Sequence, residues 1–453
     1  MGYSTSTLGD CVDSLRAGKL GVLRSVVVLG GVASVLVGLA GTAEAGARQA
    51  TTTIVSVSTA GAQAFKPSVG PVISTDGRTV AFVSDDAALV PGDTNIVGDV
   101  FVRDLKIGTT TRVSVSSSGA QSDAGSSDVG LSTDGRYVVF SSVSGALTPG
   151  DTNGDADVFV HDRMTRSTTR VSDAAGGSAG NGSSFGGVIS GDGRYVAFQS
   201  FASNLVPGDT NGAFDVFIHD RRTHQTTRVS RAFDGGPGNS HSFGAALSRD
   251  GRLVGFLSDA SNLVPGDTNG FQDVFLWDRR SGTTSRVSVA SNGAQANAGS
   301  FRPVLSADGR TIGFASAASN LVPADGNEQQ DVFVRDLRTG TVTLVSVASD
   351  GSQGNGASFG LSVSANGRYI AFPSFASNLV SADGNEQQDV FVRDLRTGTT
   401  TLVSVASDGV QGNGASSGPS ISGSGQRIAF ESQASNLVSE DRNSTNDVFL
   451  RSG

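Results

Sequence analysis

Short runs of Val, Phe, Ile and Thr recur from residue 51 to residue 450, separated by polar stretches that contain glycine. Between residues 242 and 289 these runs read SFGAALS, RLVGFLS, DVFLWD and TTSRVSV. None places apolar residues at helical spacing, so the pattern predicts strands and no helix. Branched and aromatic side chains suit a pleated surface that is half or fully buried. Asp250-Gly251 separates the first run from the second and predicts a tight type I′ hairpin, since glycine takes positive φ freely. A second short turn, Arg279-Arg280-Ser281-Gly282, joins the third run to the fourth.

This unit is one of seven. Asp76-Gly77, Asp134-Gly135, Asp192-Gly193, Asp250-Gly251 and Asp308-Gly309 are followed by Asn366-Gly367 and Ser424-Gly425, each 58 residues after the last. A fixed period without insertion is the mark of a repeat architecture. Four antiparallel strands repeated seven times describe an all-β, seven-bladed β-propeller. Separate sandwiches of 58 residues would be too small to hold their own cores. The last copy stops after its third strand, at Asp447-Val448-Phe449-Leu450, and residues 51–57 read as the missing fourth. The N-terminal strand is therefore expected to complete the last blade and close the ring, where a solenoid would need capping units.

Comparing copies within the chain shows which positions recur. The second strand carries Phe82, Phe140, Phe198, Phe256, Phe314, Phe372 and Phe430, and the third always begins Asp-Val-Phe. These are expected in the packing between blades. Serines such as Ser74, Ser132 and Ser190 are expected to satisfy buried backbone groups between blades. The run S-x-D-G-R-x-[VI]-[AVG]-F-x-S, then D-V-F-[VIL]-x-D, resembles the WD-like repeat of the TolB-type β-propellers, over residues 51–450. The resemblance implies an extracytoplasmic propeller used for binding, without a catalytic residue set. The chain departs from TolB in lacking a separate N-terminal domain, and its repeats are longer.

The extra length lies in two loops per copy, one after the second strand and one linking blades. In a four-stranded meander both fall on one face, and loops on a rigid scaffold are the usual place for function. The first loop carries D-x-N-x-x-x-D: Asp93, Asn95, Asp99; Asp151, Asn153, Asp157; Asp209, Asn211, Asp215; Asp267, Asn269, Asp273; Asp325, Asn327, Asp331; Asp383, Asn385, Asp389; and Asp441, Asn443, Asp447. Oxygen ligands at alternate positions suit Ca²⁺, which takes six to eight of them. The pattern is not an EF-hand, because no Glu stands at the twelfth position. Asp and Asn also build Asx turns and cap strand starts, so a calcium ring and a recurring turn are both open readings. The linking loop carries G-x-Q, as in Gly61-Ala62-Gln63 and Gly293-Ala294-Gln295, and is expected to turn the chain.

Signals for catalysis are thin. Gly176-Gly177-Ser178-Ala179-Gly180 matches G-x-S-x-G, but no helix follows it, as a nucleophile elbow requires. His161, His219, His224 and His241 fall in blades two to four, and are expected at the solvated surface. His161 and His219 occupy a position that holds Arg in most other copies. Sialidase-type boxes are absent, since Gly follows Asp directly.

Residues 1–45 read as a secretory signal peptide or N-terminal anchor: Arg16, Lys19 and Arg24, an apolar run over 25–40, and Ala43-Glu44-Ala45. Residues 46–453 are then the propeller. Cys11 is the only cysteine, so the remainder has no disulfide framework. The net charge is −9 and Lys66 and Lys106 are the only lysines beyond the leader, which argues against nucleic acid or an anionic membrane as partner. The sequence thus points to an exported, monomeric, non-enzymatic propeller that binds a protein or glycan through its long-loop face. A carbohydrate-active lyase or hydrolase working at the channel mouth, and a structural cell-envelope protein, are the competing readings.

Overall fold

The computed structural model describes residues 49–174 and 176–453; the leader read in residues 1–45, with Cys11, lies outside them. The described residues form seven four-stranded antiparallel sheets. In the first blade the strands are Ser68–Ile73, Thr79–Ser84, Asp99–Asp104 and Thr109–Arg112, hydrogen-bonded in chain order. A single 3₁₀ turn, Ala87–Leu89, is the one helical element among the described residues. No helix among them is long and apolar enough to cross a membrane.

The seventh blade closes as the repeat requires. Thr51–Ile54 pairs antiparallel with Asp447–Ser452, with Thr51 opposite Ser452 and Ile54 opposite Phe449. The closing strand is shorter than residues 51–57, because Val57 turns away to bridge Gln63. Closure is also visible around the axis, where one backbone hydrogen bond links each blade to the next. Asp76 N donates to Thr133 O (3.1 Å), Thr133 N to Gly191 O (3.2 Å), Gly191 N to Arg249 O (2.8 Å) and Arg249 N to Ala307 O (3.3 Å). Asp308 N to Ala365 O (3.0 Å), Ala365 N to Gly423 O (3.1 Å) and Gly423 N to Thr75 O (2.8 Å) complete the circle.

Each third strand is apolar on both faces because each blade packs on two neighbours. Val100, Phe101 and Val102 are all fully buried, and the Val-Phe pair is fully buried in every blade. Within a blade the two recurrent phenylalanines face each other across the second and third strands, as Phe82 and Phe101 do at 5.9 Å between ring centroids. Aromatic pairs at this separation contribute beyond the area they bury.

The Asp-Gly turn differs from the type I′ expectation. Only the glycine is left-handed (Gly77, φ 72°), and Gly77 N donates back to Ser74 O (2.8 Å), the form of a type I turn followed by a bulge. The glycine also admits the preceding blade: a Cβ on Gly193 would lie 2.1 Å from the Tyr137 ring. The recurrent serine acts inside this turn, not between blades. Ser74 Oγ accepts from Thr79 N (3.1 Å) and donates to Asp76 Oδ1 (2.6 Å).

Candidate functional site

The two faces of the ring are built differently. On the short-turn face, arginines after the Asp-Gly turn clamp the aspartates that end the third strand: Arg136–Asp162, Arg194–Asp220 and Arg252–Asp278 at 2.6 Å, and Arg368–Asp394 at 2.5 Å. Hydrogen bonds from these arginines hold the carboxyls of Asp162, Asp220 and Asp394 below the usual carboxylate range. At this end a cavity of about 160 Å³ lies on the axis, bordered by residues of the backbone ring such as Thr75, Thr133 and Arg249. Arg249 is the one charged side chain in its lining.

On the opposite face the long loops meet, and the D-x-N-x-x-x-D residues come together in every blade. The second aspartate is fully buried at the start of the third strand (Asp99, Asp157, Asp215, Asp273, Asp331, Asp389, Asp447). Its Oδ1 accepts from a serine after the outer strand, as from Ser346 to Asp331 (2.5 Å), and from Ser56 to Asp447 (2.5 Å). The asparagine turns its amide nitrogen inward. Asn327 Nδ2 donates both to Asp331 Oδ2 (2.9 Å) and to Gly354 O in the linking loop (2.9 Å). Asn95, Asn153, Asn211, Asn269, Asn385 and Asn443 reach the linking loop in the same way.

A nitrogen also sits between the two carboxylates of each loop. In blades one to four it is an arginine that ends the outer strand. Arg112 Nη1 is 2.7 Å from Asp93 and 3.5 Å from Asp99, and Arg286 Nη1 is 2.7 Å from Asp267 and 3.5 Å from Asp273. Arg170 approaches Asp151 (3.2 Å) and Arg228 approaches Asp209 (3.3 Å). In blades five to seven that strand ends in Leu344, Leu402 and Ile54, and the glutamine of G-x-Q takes over. Gln353 Nε2 bridges Asp325 (2.9 Å) and Asp331 (3.0 Å); Gln411 bridges Asp383 (2.9 Å) and Asp389 (2.8 Å); Gln63 bridges Asp441 and Asp447, both at 2.8 Å. The glutamine read as a turn residue is therefore a ligand of the carboxylates.

This donor set does not fit calcium. Ca²⁺ needs converging oxygens, whereas here Arg or Gln nitrogen lies between the carboxylates and the asparagine presents nitrogen. The asparagine orientation follows from its bond to a backbone carbonyl, which only an N–H can make. Among the described residues no group of three or more His, Cys, Asp or Glu is placed to hold a metal. Burial, the largest influence, pushes the carboxyls of Asp151 and Asp215 up to about 6, and those of Asp99, Asp157, Asp331, Asp389 and Asp447 upward. A buried carboxylate left unpaired would be costly, so the bridging nitrogens are what make the motif tolerable.

Two histidines are not where the sequence put them. His161 and His219 are 5% exposed, each with Nδ1 beside a threonine hydroxyl (Thr168, 2.9 Å; Thr226, 3.0 Å). Burial lowers both to about 4. Arg103 fills the equivalent place and donates to Thr110 Oγ1 (3.0 Å) and Ser58 O (3.0 Å), a between-blade tie. His224 and His241 are exposed, and His241 Nδ1 accepts from Phe214 N (3.0 Å). Ser178 of the G-x-S-x-G match lies in an exposed turn between strands.

Exposed apolar side chains gather on the long-loop face. Of ten large hydrophobic residues exposed among those described, eight lie in its loops: Phe65, Ile96, Val143, Phe201, Phe233, Phe271, Phe375 and Val410. Only Ile107 and Met164 lie in the short turns. The sequence carried this signal in the loop positions that depart from the repeat.

No protein-family model matches the sequence, and no curated protein matches it. Among solved structures the chain is similar to the β-propeller domain of the Trilobed protease from Pyrococcus furiosus (14% identity, 86% of this chain and 94% of that one, TM-score 0.53). It is similar to an oligogalacturonate lyase in complex with manganese (12% identity, 89% and 90% covered, TM-score 0.52). TolB from Acinetobacter baumannii is also similar (17% identity, 73% of this chain and 64% of that chain, TM-score 0.41). This chain thus spans less than two thirds of that TolB chain's length. At such identities the likeness is one of fold. The chain is a seven-bladed β-propeller of four-stranded blades, closed by its N-terminal strand.

Proposed function

We propose that the protein is an exported, non-enzymatic binding propeller that docks a protein partner on its long-loop face. The observation that carries this reading is the contrast between the faces. One is tied up in arginine–aspartate clamps around a small axial cavity, while the other displays eight exposed apolar side chains over loops tied by buried hydrogen bonds. Exposed apolar side chains gathered on one rigid face are the usual mark of a protein interface. The polar groups of the D-x-N-x-x-x-D motif are spent within each blade, so they serve the scaffold and leave recognition to the residues around them. Photo-crosslinking in cells, from side chains on the two faces, is the experiment that tests the proposal: adducts are expected from the long-loop face alone.

A further inference from the structure

The sevenfold pattern breaks on the channel wall across blades five to seven. A cavity of about 600 Å³ opens there, lined among others by Arg302, Phe359, Pro373, Phe375, Gln388 and Glu431. Pro373 stands in the second strand of blade six, where the first blade has Val83. Phe359 N still donates to Pro373 O (3.1 Å), but proline has no N–H to return, so the ladder fails and the inner strand shrinks to Ser362–Val363. The Phe359 carbonyl is left without its strand partner beside the cavity.

Arg302 is the second anomaly. Its counterparts are Gly70, Asp128, Gly186, Gly244, Gly360 and Gly418. Arg302 (φ 51°) and Asp128 (φ 54°) are the two non-glycine residues that are left-handed at this position, and Arg302 is the one that carries a long side chain there. A long side chain in this region is strained, and strain of this kind gathers at ligand sites. The side chain is exposed and takes part in none of the ion pairs found among the described residues. It lies over Gly360, where a Cβ would come within 2.8 Å of its Cδ. At the other end of the cavity Glu431 is fixed by Ser417 Oγ (2.7 Å) and Gly70 N (2.8 Å). Between the two charges Phe359 and Phe375 meet edge to face at 5.7 Å, with Phe375 53% exposed.

We propose that this cavity captures the carboxyl terminus of a peptide chain whose last residue is apolar. This specifies the partner chemistry of the long-loop face and rests on that reading. The guanidinium of Arg302 takes the terminal carboxylate, as a forked donor suits a planar anion. The two phenylalanines and Pro373 take the apolar side chain, and peptide N–H groups meet the Phe359 carbonyl and Glu431. A sugar acid fits less well, because its ring of hydroxyls would leave the apolar floor unmatched.

The test is calorimetric titration of the full chain with acetylated tripeptides ending in phenylalanine, leucine or valine, each as free acid and as amide. The free acids are expected to bind, and the amides to bind at least about tenfold more weakly, the loss of one charge-assisted pair. Arg302→Gly restores the residue used by five of the other six blades. It is expected to weaken the free acids by at least about tenfold while raising the thermal midpoint through relief of strain. No binding by any peptide, equal binding of acid and amide, or unchanged binding by Arg302→Gly would each overturn the proposal. If the peptides fail while long-loop crosslinks persist, the cavity assignment alone is lost. If peptides bind and those crosslinks are missing, the broader face is lost and the cavity stands.

Discussion

In blade five the outer strand ends in Leu344, and Gln353 supplies the nitrogen between Asp325 and Asp331. In blade two Arg170 ends that strand, and Ala179 stands where the glutamine would be. Blade four has both, and Arg286 already bridges its pair. Gln353→Ala should therefore cost about 1–3 kcal/mol, because it strands buried carboxylates. Gln295→Ala should cost less than about 1 kcal/mol, and adding Leu344→Arg to Gln353→Ala should recover most of the loss. Equal costs in chemical denaturation of the two alanine variants would contradict this exchange of donors. The alternation of Arg with Gln was present in the sequence, but its meaning needed the knowledge that strand end and linking loop meet at one carboxylate pair. A pH effect belongs to the same scale. His161 and His219 titrate near 4 in the fold and near 6.5 in an unfolded chain, so the unfolded state takes protons first and stability is lost as pH falls between those values. Asp151 and Asp215, raised to about 6, act in the opposite sense and favour the fold as pH falls from about 6 towards the ordinary carboxylate value. Replacing both histidines with the arginine of other blades isolates their part. The double variant should keep more of its neutral-pH stability at about pH 4.5 than the parent, and identical acid losses would contradict the buried placement.

At the scale of the element, the ring depends on a strand of four residues. Thr51–Ile54 covers one edge of Asp447–Ser452, and three further ties follow it: Val55 N to Val448 O (2.7 Å), Gln63 to Asp441 and Asp447 (2.8 Å each), and Asn443 to Ala64 O (2.7 Å). A chain beginning at Gly61 loses the strand and leaves an open edge free to pair with another molecule. It should melt lower than a chain beginning at Gln49 and associate in light scattering; an equal midpoint with a monomeric mass would contradict closure by this strand. Closure was legible because the last copy lacked a fourth strand and residues 51–57 supplied one in register. The turn type was less legible, since an Asp-Gly pair suits both a type I′ turn and a type I turn with a bulge. Ser74, which accepts from the strand beyond the turn, settles it for the second. The interruption in blade six was written in Pro373, but the other six copies hold Val83, Ser141, Gln199, Leu257, Ala315 and Glu431 there, so a proline reads as one more variation until the strand around it is seen to fail.

At the scale of the molecule, repetition and departure from repetition divide the work. Positions that recur, such as the paired phenylalanines and buried serines, build the barrel of blades and were readable from the period alone. Positions that do not recur, such as Phe271, Phe375 and Arg302, carry the surface chemistry, and nothing in the period ranks them until the faces are known. The acidic loops illustrate the difference. Their regularity invited a metal, yet the same regularity serves the scaffold once Arg and Gln nitrogens are placed between the carboxylates. What remains for recognition is the apolar population of the long-loop face. The most direct measurement replaces Phe271 or Phe375, and in parallel Ile107 or Met164, with a photo-crosslinking amino acid in the full chain and irradiates the producing cells. Covalent adducts of defined mass from positions 271 and 375, with none from 107 and 164, are the result predicted here; adducts from the short-turn positions, or from neither face, would contradict it.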